Sequence, residues 1–305
     1  MLSCSGHNNR DITMGADIFD AARIGGDIFQ WEEFISQCVA RVMKYYAYHN
    51  VMFYNDPDNI VLRPKFNTFD QALSRLSFNA LLGLPLTLGD HLPDLPEERI
   101  ELLKRGLPPL DAHPMDIRES IHNYQVIKLN LAIERPYESW NVVDLLNLRH
   151  ESSDVLLDLK TDLHLSDGVY LVYDYWEKTY IGEFESTIPL QLRPCASKVL
   201  AVRKKLNHPQ LLSTSRHVSQ GAVDLESLAW DGNLGVLSAV SHVIKDDPYI
   251  VTLYVPAALR PFTEGNRTSM PEFIHIGGNI WQFTIQPNET GDVAWSVDFS
   301  EKNPA

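Results

Sequence analysis

Cysteine is scarce in this chain. Its 305 residues include only Cys4, Cys38 and Cys195, and none forms a Cys-x-x-Cys pair. A disulfide framework and the common zinc-ribbon and dithiol motifs are thereby excluded. The histidines are scattered, with no His-x-x-x-His or His-Glu-x-x-His spacing, so no metal site is expected. Positive charge is also short: 26 Lys and Arg against 40 Asp and Glu give a net charge of −14. Nucleic-acid binders carry a basic face, and this chain has none to offer. It also lacks a polybasic run for an anionic membrane. No apolar stretch reaches the roughly 18 residues of a transmembrane helix. No charged n-region followed by an apolar h-region marks a signal peptide. The opening Met1-Leu2-Ser3-Cys4-Ser5-Gly6 reads as a strand already under way. A start further upstream is implied, and both a cytoplasmic and a secreted location stay open.

What is present suits a folded protein with a substantial core. Hydrophobic residues make up 44% and charged residues 22%, close to ordinary globular usage. The length predicts about two domains. Residues 1–6 read as a strand, and residues 7–22 as a polar loop or short helix. From Asp27 to about Tyr48, Phe29, Phe34, Cys38, Val42 and Tyr45 return at helical spacing. Val51–Tyr54 reads as a strand stopped by Asn55-Asp56-Pro57-Asp58-Asn59, an Asx-Pro turn signal. Phe69–Leu82 reads as a helix, Leu84–Leu88 as a strand and Glu97–Lys104 as a helix. Strand, loop and helix repeat in that order, which predicts parallel strands with covering helices.

After about Ile121 the pattern changes to short β-branched and aromatic runs separated by turns. They are Gln125–Leu129, Trp140–Leu145, Val155–Leu159, Val169–Tyr173, Lys198–Val202, Tyr249–Tyr254, Ile280–Thr284 and Val293–Val297. Such spacing predicts antiparallel β-sandwiches, with a break at Pro209. The expected fold class is therefore α/β plus all-β. Residues 1–120 form one domain, 121–207 a β-sandwich, and 208–305 a second sandwich or its continuation.

Chemistry is expected at Arg23-Ile24-Gly25-Gly26-Asp27-Ile28, where two glycines free the backbone just before a carboxylate. Four segments together resemble the second half of the catalytic barrel of α-galactosidases, glycoside hydrolase families 27 and 36. Ser3-Cys4-Ser5-Gly6 with Arg10-Asp11 is similar to the stretch after the fifth strand, and Arg23-x-x-x-Asp27-Ile28 to the turn after the sixth. Asn55-Asp56-Pro57-Asp58 resembles the stretch after the seventh, and Leu84–Leu92 the eighth strand and its exit. Val172–Trp176 and Arg216-His217-x-x-Gln220-Gly221 look like the C-terminal β-domains of bacterial relatives.

The resemblance implies strands five to eight of a (β/α)8 barrel followed by one or two antiparallel β-sandwiches. It also implies a retaining glycosidase that releases terminal α-linked galactose and needs no metal or organic cofactor. Such an enzyme needs one carboxylate to attack the anomeric carbon and another to protonate the leaving oxygen. By resemblance Asp27 is the acid/base and Arg23 holds a sugar hydroxyl. Cys4 and Gly6 line the sugar pocket, and Asp56 and Asp58 buttress the site or bind hydroxyls. The family's nucleophile, an aspartate in a Lys-x-Asp setting after the fourth strand, has no counterpart here. The isolated chain is thus expected to be inactive, with self-association or a complementing N-terminal half as its partner. The same scaffold also serves α-N-acetylgalactosaminides and β-L-arabinopyranosides, and a non-catalytic carbohydrate-binding polypeptide is the further alternative.

Plainer readings stand beside these. Asp27 with Gln30 three residues on reads as a helix cap. Asn55–Asn59 has the carboxylates of a calcium loop, without the central glycine and closing glutamate of an EF-hand. Cys4 reads as a small buried hydrophobe. Arg216 and His217 read as loop hydrogen-bonders, and the tryptophans of the β-region read first as core.

Overall fold

A computed structural model of the chain describes residues 2–3, 15, 18–110, 125–261 and 272–301. The described fold is mostly β, with few helices and several antiparallel sheets. The chain divides into two compact units. One comprises Met1–Leu131, Val143–Leu157 and Pro189–Val199; the other comprises Ala132–Val142, Asp158–Ile188 and Leu200–Ala305.

The first unit begins with a parallel sheet of three short strands: β1 (Leu2–Ser3), β2 (Ala21–Arg23) and β3 (Tyr54–Asp56). Parallel strands need a long crossover between them, and helical segments supply it between β2 and β3. The crossover from β2 to β3 starts helical at Trp31, four residues later than the apolar spacing predicts. The N–H groups ahead of Trp31 are already spent. Glu33 accepts from Phe29 N at 2.7 Å and from Gln30 N at 2.8 Å. Asp27 is therefore not the cap; the capping carboxylate belongs to Glu33. After Glu33 the helix widens into a π-helical stretch, Phe34–Val39, before returning to α at Ala40–Tyr45.

The helix at Phe69–Leu81 starts as its sequence suggests, with Thr68 and Gln71 in a reciprocal capping box. Every residue from Ala72 to Leu81 is buried. Leu84–Leu88, expected as a strand, is not one. It pairs with the chain only through a parallel bridge between Ile60 and Leu88. Pro85 removes a ladder donor in the middle of that run.

The remaining strands include those expected from apolar runs, together with others, such as Thr179–Phe184 and Thr187–Leu192, that no such run announces. They are β4 (Val126–Glu134), β5 (Ser139–Asn147), β6 (Ser153–Asp158), β7 (Tyr170–Asp174), β8 (Thr179–Phe184), β9 (Thr187–Leu192) and β10 (Ser197–Lys204). A five-stranded sheet has the order β4-β5-β10-β7-β8, and β6 pairs with β9. From Gln210 follow β11 (Gln210–Thr214), β12 (Leu225–Asp231), β13 (Val236–Val243), β14 (Tyr249–Tyr254), β15 (Leu259–Pro261), β16 (Ile274–Gly277), β17 (Ile280–Ile285) and β18 (Gly291–Glu301). These build two four-stranded sheets, β11-β14-β17-β16 and β12-β13-β18-β15. Leu211, Val251, Leu253 and Phe283 of one sheet meet Leu237, Trp295, Val297 and Phe299 of the other in a single core. β13 alternates buried and open positions along its length, as a strand with one face on a core must.

β5 is different, since every residue after Ser139 is buried. Its Asp144 is fully enclosed, with the Ser197 hydroxyl beside it partly favouring the charged form. Burial pushes this carboxyl up to about 7. An acid raised in the folded state contributes stability that is complete below its unfolded value of 3.8. That stability is lost as pH rises towards 7. Asp144→Asn should remove this dependence and leave the protein more stable than its parent above pH 7. The gain is at most on the order of 4 kcal/mol. Urea midpoints measured from pH 4 to 8 check this; parallel profiles for parent and variant would contradict it.

Candidate active site

The C-terminal ends of parallel strands are where such sheets present reactive side chains, because the connecting loops converge there. Arg23 ends β2, Asp56 ends β3, and the two are paired in register. Ile24 N donates to Asp56 O at 3.0 Å and continues the ladder one step further. Asp27 and Asp58 follow in the two loops. Cys4 and Gly6 lie outside the described residues.

Asp58 joins the two loops. Its Oδ1 lies 2.5 Å from Arg23 Nη2, and its Oδ2 accepts from Ile28 N at 2.8 Å. Asp58 itself has φ +80°, a left-handed conformation that costs a non-glycine residue free energy. The adjacent Asp56 offsets this, since its Oδ1 accepts from Asp58 N at 2.9 Å. Both oxygens of Asp58 are occupied and the side chain is almost closed off from solvent. A calcium-loop role would have to displace those donors.

Asp27 sits differently. One oxygen is 3.1 Å from Arg23 Nη2, and the side chain is 83% exposed. Arg23 is therefore a fork between two carboxylates, one sheltered and one open. The chemical capacities differ accordingly. Asp58 can hold other groups in place, whereas Asp27 is free to exchange a proton with a ligand.

The turn that carries Asp27 is fixed from the π-helical stretch. Gly26 N donates to Gln37 Oε1 at 3.0 Å. A Cβ on Gly25 would lie 2.1 Å from the Gln37 carbonyl oxygen, so only glycine fits there. The wider π turn is where Gln37 presents both groups to the glycines. Stretches of this kind often mark functional sites.

Sequence reasoning missed the residues that act across long separations. Buried His49 accepts Asn55 N on Nδ1 at 3.1 Å, so its Nε2 carries the proton and donates to Gly83 O at 3.2 Å. The side chain of Asn55 donates to Tyr45 O at 3.0 Å. Asp90 Oδ2 accepts Leu62 N and Arg63 N at 2.5 and 3.2 Å, which closes the loop after β3. Only spacing to a strand end could have flagged His49, and nothing local marks Gln37.

Other residues singled out by sequence are structural. His217 Nδ1 accepts from Ser219 N at 3.1 Å, and Gln220 O accepts from Arg203 Nη2 at 2.8 Å. Trp140 and Trp295 are buried, with Trp140 stacked under Arg203 at 4.1 Å.

If Asp58 is what sets the Asp27 loop, Asp58→Ala should speed hydrogen exchange at Ile28 by more than about tenfold, the loss of one charge-assisted bond. Exchange in β13 and β14 should not change. Equal acceleration in both regions would mean global destabilisation instead.

No protein-family model matches the chain, and no curated protein sequence does. Solved structures do. The chain is similar to a GH27 β-L-arabinopyranosidase from Geobacillus stearothermophilus in complex with arabinose. That match has a TM-score of 0.53 and 17% identity, over 67% of this chain and 50% of the other. The wild-type form of the same enzyme gives 0.51 at 17%, over 67% and 49%. A proposed α-galactosidase from Bacteroides fragilis gives 0.50 at 17%, over 67% and 47%. The chain thus spans about half the length of these structures. Over that matched part, the chain has an α-galactosidase-like fold.

Proposed function

We propose that the chain is the acid/base-bearing part of a retaining glycoside hydrolase acting on terminal α-galactosides. In this reading residues 1–120 correspond to strands five to eight of a (β/α)8 barrel. Residues 121–207 form a β-sandwich, and 208–305 a second sandwich or its continuation. The observation that carries the proposal is the division of labour at Arg23. Asp58 spends both oxygens on holding the loops, while Asp27 stays open at the C-terminal end of a parallel strand.

In the first step a carboxylate attacks the anomeric carbon as the glycosidic C–O bond breaks. Asp27 gives its proton to the departing oxygen, then takes one from the water that hydrolyses the glycosyl-enzyme. Arg23 holds a sugar hydroxyl beside it. Asp56 keeps Asp58 in place. Asp58 cannot double as nucleophile while both its oxygens are engaged, so the nucleophile is assigned to polypeptide outside these residues. A complementing half-barrel, or a second chain, is the matching partner. β-L-Arabinopyranosides are a second substrate class, supported by the fold shared with the Geobacillus enzyme. α-N-Acetylgalactosaminides remain on the same scaffold.

The purified chain should bind members of this glycoside panel without turning them over. In an enzyme whose barrel is completed, Asp27→Asn should cut turnover about 10²- to 10⁴-fold, the usual worth of general acid–base catalysis. Nitrophenol release reads the turnover, and calorimetry the binding. Turnover indifferent to Asp27→Asn would contradict the proposal, as would a chain that binds none of the panel.

A further inference from the structure

Away from the Asp27 loop, three side chains of the first unit form a chain of proton-bearing groups. Cys195 Sγ lies 3.5 Å from His150 Nδ1, and His150 Nε2 lies 3.0 Å from Glu32 Oε1. An ionised Glu32 only accepts, so Nε2 carries the imidazole proton and Nδ1 turns its lone pair to the thiol. The sulfur has a second acceptor within reach, Arg149 O, also at 3.5 Å. Gln71, in the first turn of the helix at Phe69–Leu81, hydrogen-bonds the sulfur and favours its charged form. A nucleophile, a base and a group that orients the base thus follow one another. That is the order that activates a weak nucleophile.

The thiol is held in place through its backbone. Cys195 has φ +53°, a left-handed conformation that costs a residue with a Cβ free energy. Cys195 N donates to Arg149 O at 2.9 Å, and Ser74 Oγ donates to Cys195 O at 2.9 Å. Buried Asn147 ties the two turns together, donating from Nδ2 to Arg193 O at 2.9 Å and to Glu151 O at 2.8 Å. Cys195 is 5% exposed, whereas the His150 imidazole is 65% exposed. Burial raises the thiol above its ordinary value, the Gln71 bond works against this, and Glu32 and Asp70 add to it. The nearby charges are otherwise paired, Asp70 with Arg193 at 2.8 Å and Glu151 with Arg149 at 2.7 Å. At neutral pH the sulfur therefore needs a base to react, and the base is in contact. Cys38 differs: it is 1% exposed and has an amide, Asn79 Oδ1, beside its sulfur at 4.0 Å where Cys195 has an imidazole.

We propose that Cys195 is a site of oxidation by small hydroperoxides, with His150 moving the proton and Glu32 holding His150 in the required tautomer. Sγ passes its proton to Nδ1 and attacks the hydroxyl-bearing oxygen of the peroxide. The S–O bond forms as the O–O bond breaks, and the imidazolium gives its proton to the departing oxygen. The sulfur loses two electrons to the peroxide, which leaves a sulfenic acid and one molecule of water or alcohol. Between the two transfers the imidazolium is stabilised by its bond to the Glu32 carboxylate. The enclosure of Cys195 favours a reagent little larger than water over a bulky disulfide.

Timed exposure of the full chain to hydrogen peroxide, with dimedone trapping and peptide mass spectrometry, tests this. The Cys195 peptide should gain the sulfenic-acid adduct at least about tenfold faster than the Cys38 peptide, as a base in contact requires. His150→Gln should slow Cys195 by about 10²-fold, the lower end of general acid–base catalysis. Glu32→Gln should slow it less. Both side chains are largely exposed, so neither substitution should disturb the fold, and an unchanged Cys38 rate reports that it does not. The base also leaves its mark on the pH profile. The parent rate should level off once the imidazole is neutral, while the His150→Gln rate climbs into the alkaline range with the thiol's own ionisation. Equal rates at Cys195 and Cys38 in the parent would overturn the proposal. So would a Cys195 rate that His150→Gln leaves unchanged or speeds, because the imidazole would then be a cover and not a base.

Discussion

One carboxylate, Asp58, ties together the two loops on which the candidate site depends. β2 and β3 are three residues each, too short to fix the geometry of their loops by ladder bonds alone. Asp58 supplies what the ladder lacks, with one oxygen on the Arg23 guanidinium and the other on the Ile28 amide. Bonds to an ionised acceptor are roughly twice as strong as neutral ones. They are also screened little in so closed a position. The left-handed backbone at Asp58 works against this arrangement, and the adjacent Asp56 carboxylate offsets the cost. Asp56 and Asp58 therefore act as a unit, one stabilising the conformation that the other needs.

That clamp separates the roles of residues that look alike in sequence. Asp56 is turned inward, Asp58 is saturated with donors, and Asp27 is open. Gly25 and Gly26, pressed against Gln37, keep the open residue on a turn with little freedom. Pre-set geometry of this kind is what proton transfer requires, since reach comes before acidity.

Much of the β-region is legible because half-buried strands alternate and their turns are marked. Tyr249–Tyr254 coincides with β14, and Pro209 falls one residue before β11. The first unit is harder to read. β2 is Ala21-Ala22-Arg23, with no β-branched residue to announce a strand, and it falls where a loop is expected. Leu84–Leu88 has the composition of a strand and mostly lacks partners. The helix begins at Trp31 because the amides before it are consumed by Asp58 and Glu33, and no periodicity rule sees those bonds. At the site, Arg23, Asp27, Asp56 and Asp58 are conspicuous as residue types, and the fold brings all four to one edge. Gln37, His49 and Asp90 are not conspicuous, because each acts on a backbone amide contributed by a different stretch of chain.

The assignment of Asp27 stands or falls on where a sugar sits. A crystal structure of the chain with an α-galactoside bound would decide it. The glycosidic oxygen is expected within about 2.6–3.2 Å of an Asp27 carboxylate oxygen, with a ring hydroxyl on Arg23 and Asp58 still bound to Arg23 and the Ile28 amide. A sugar seated on the β-sheets of residues 210–301, or one at this edge that leaves Asp27 in solvent and bonds to Asp58 instead, would contradict it.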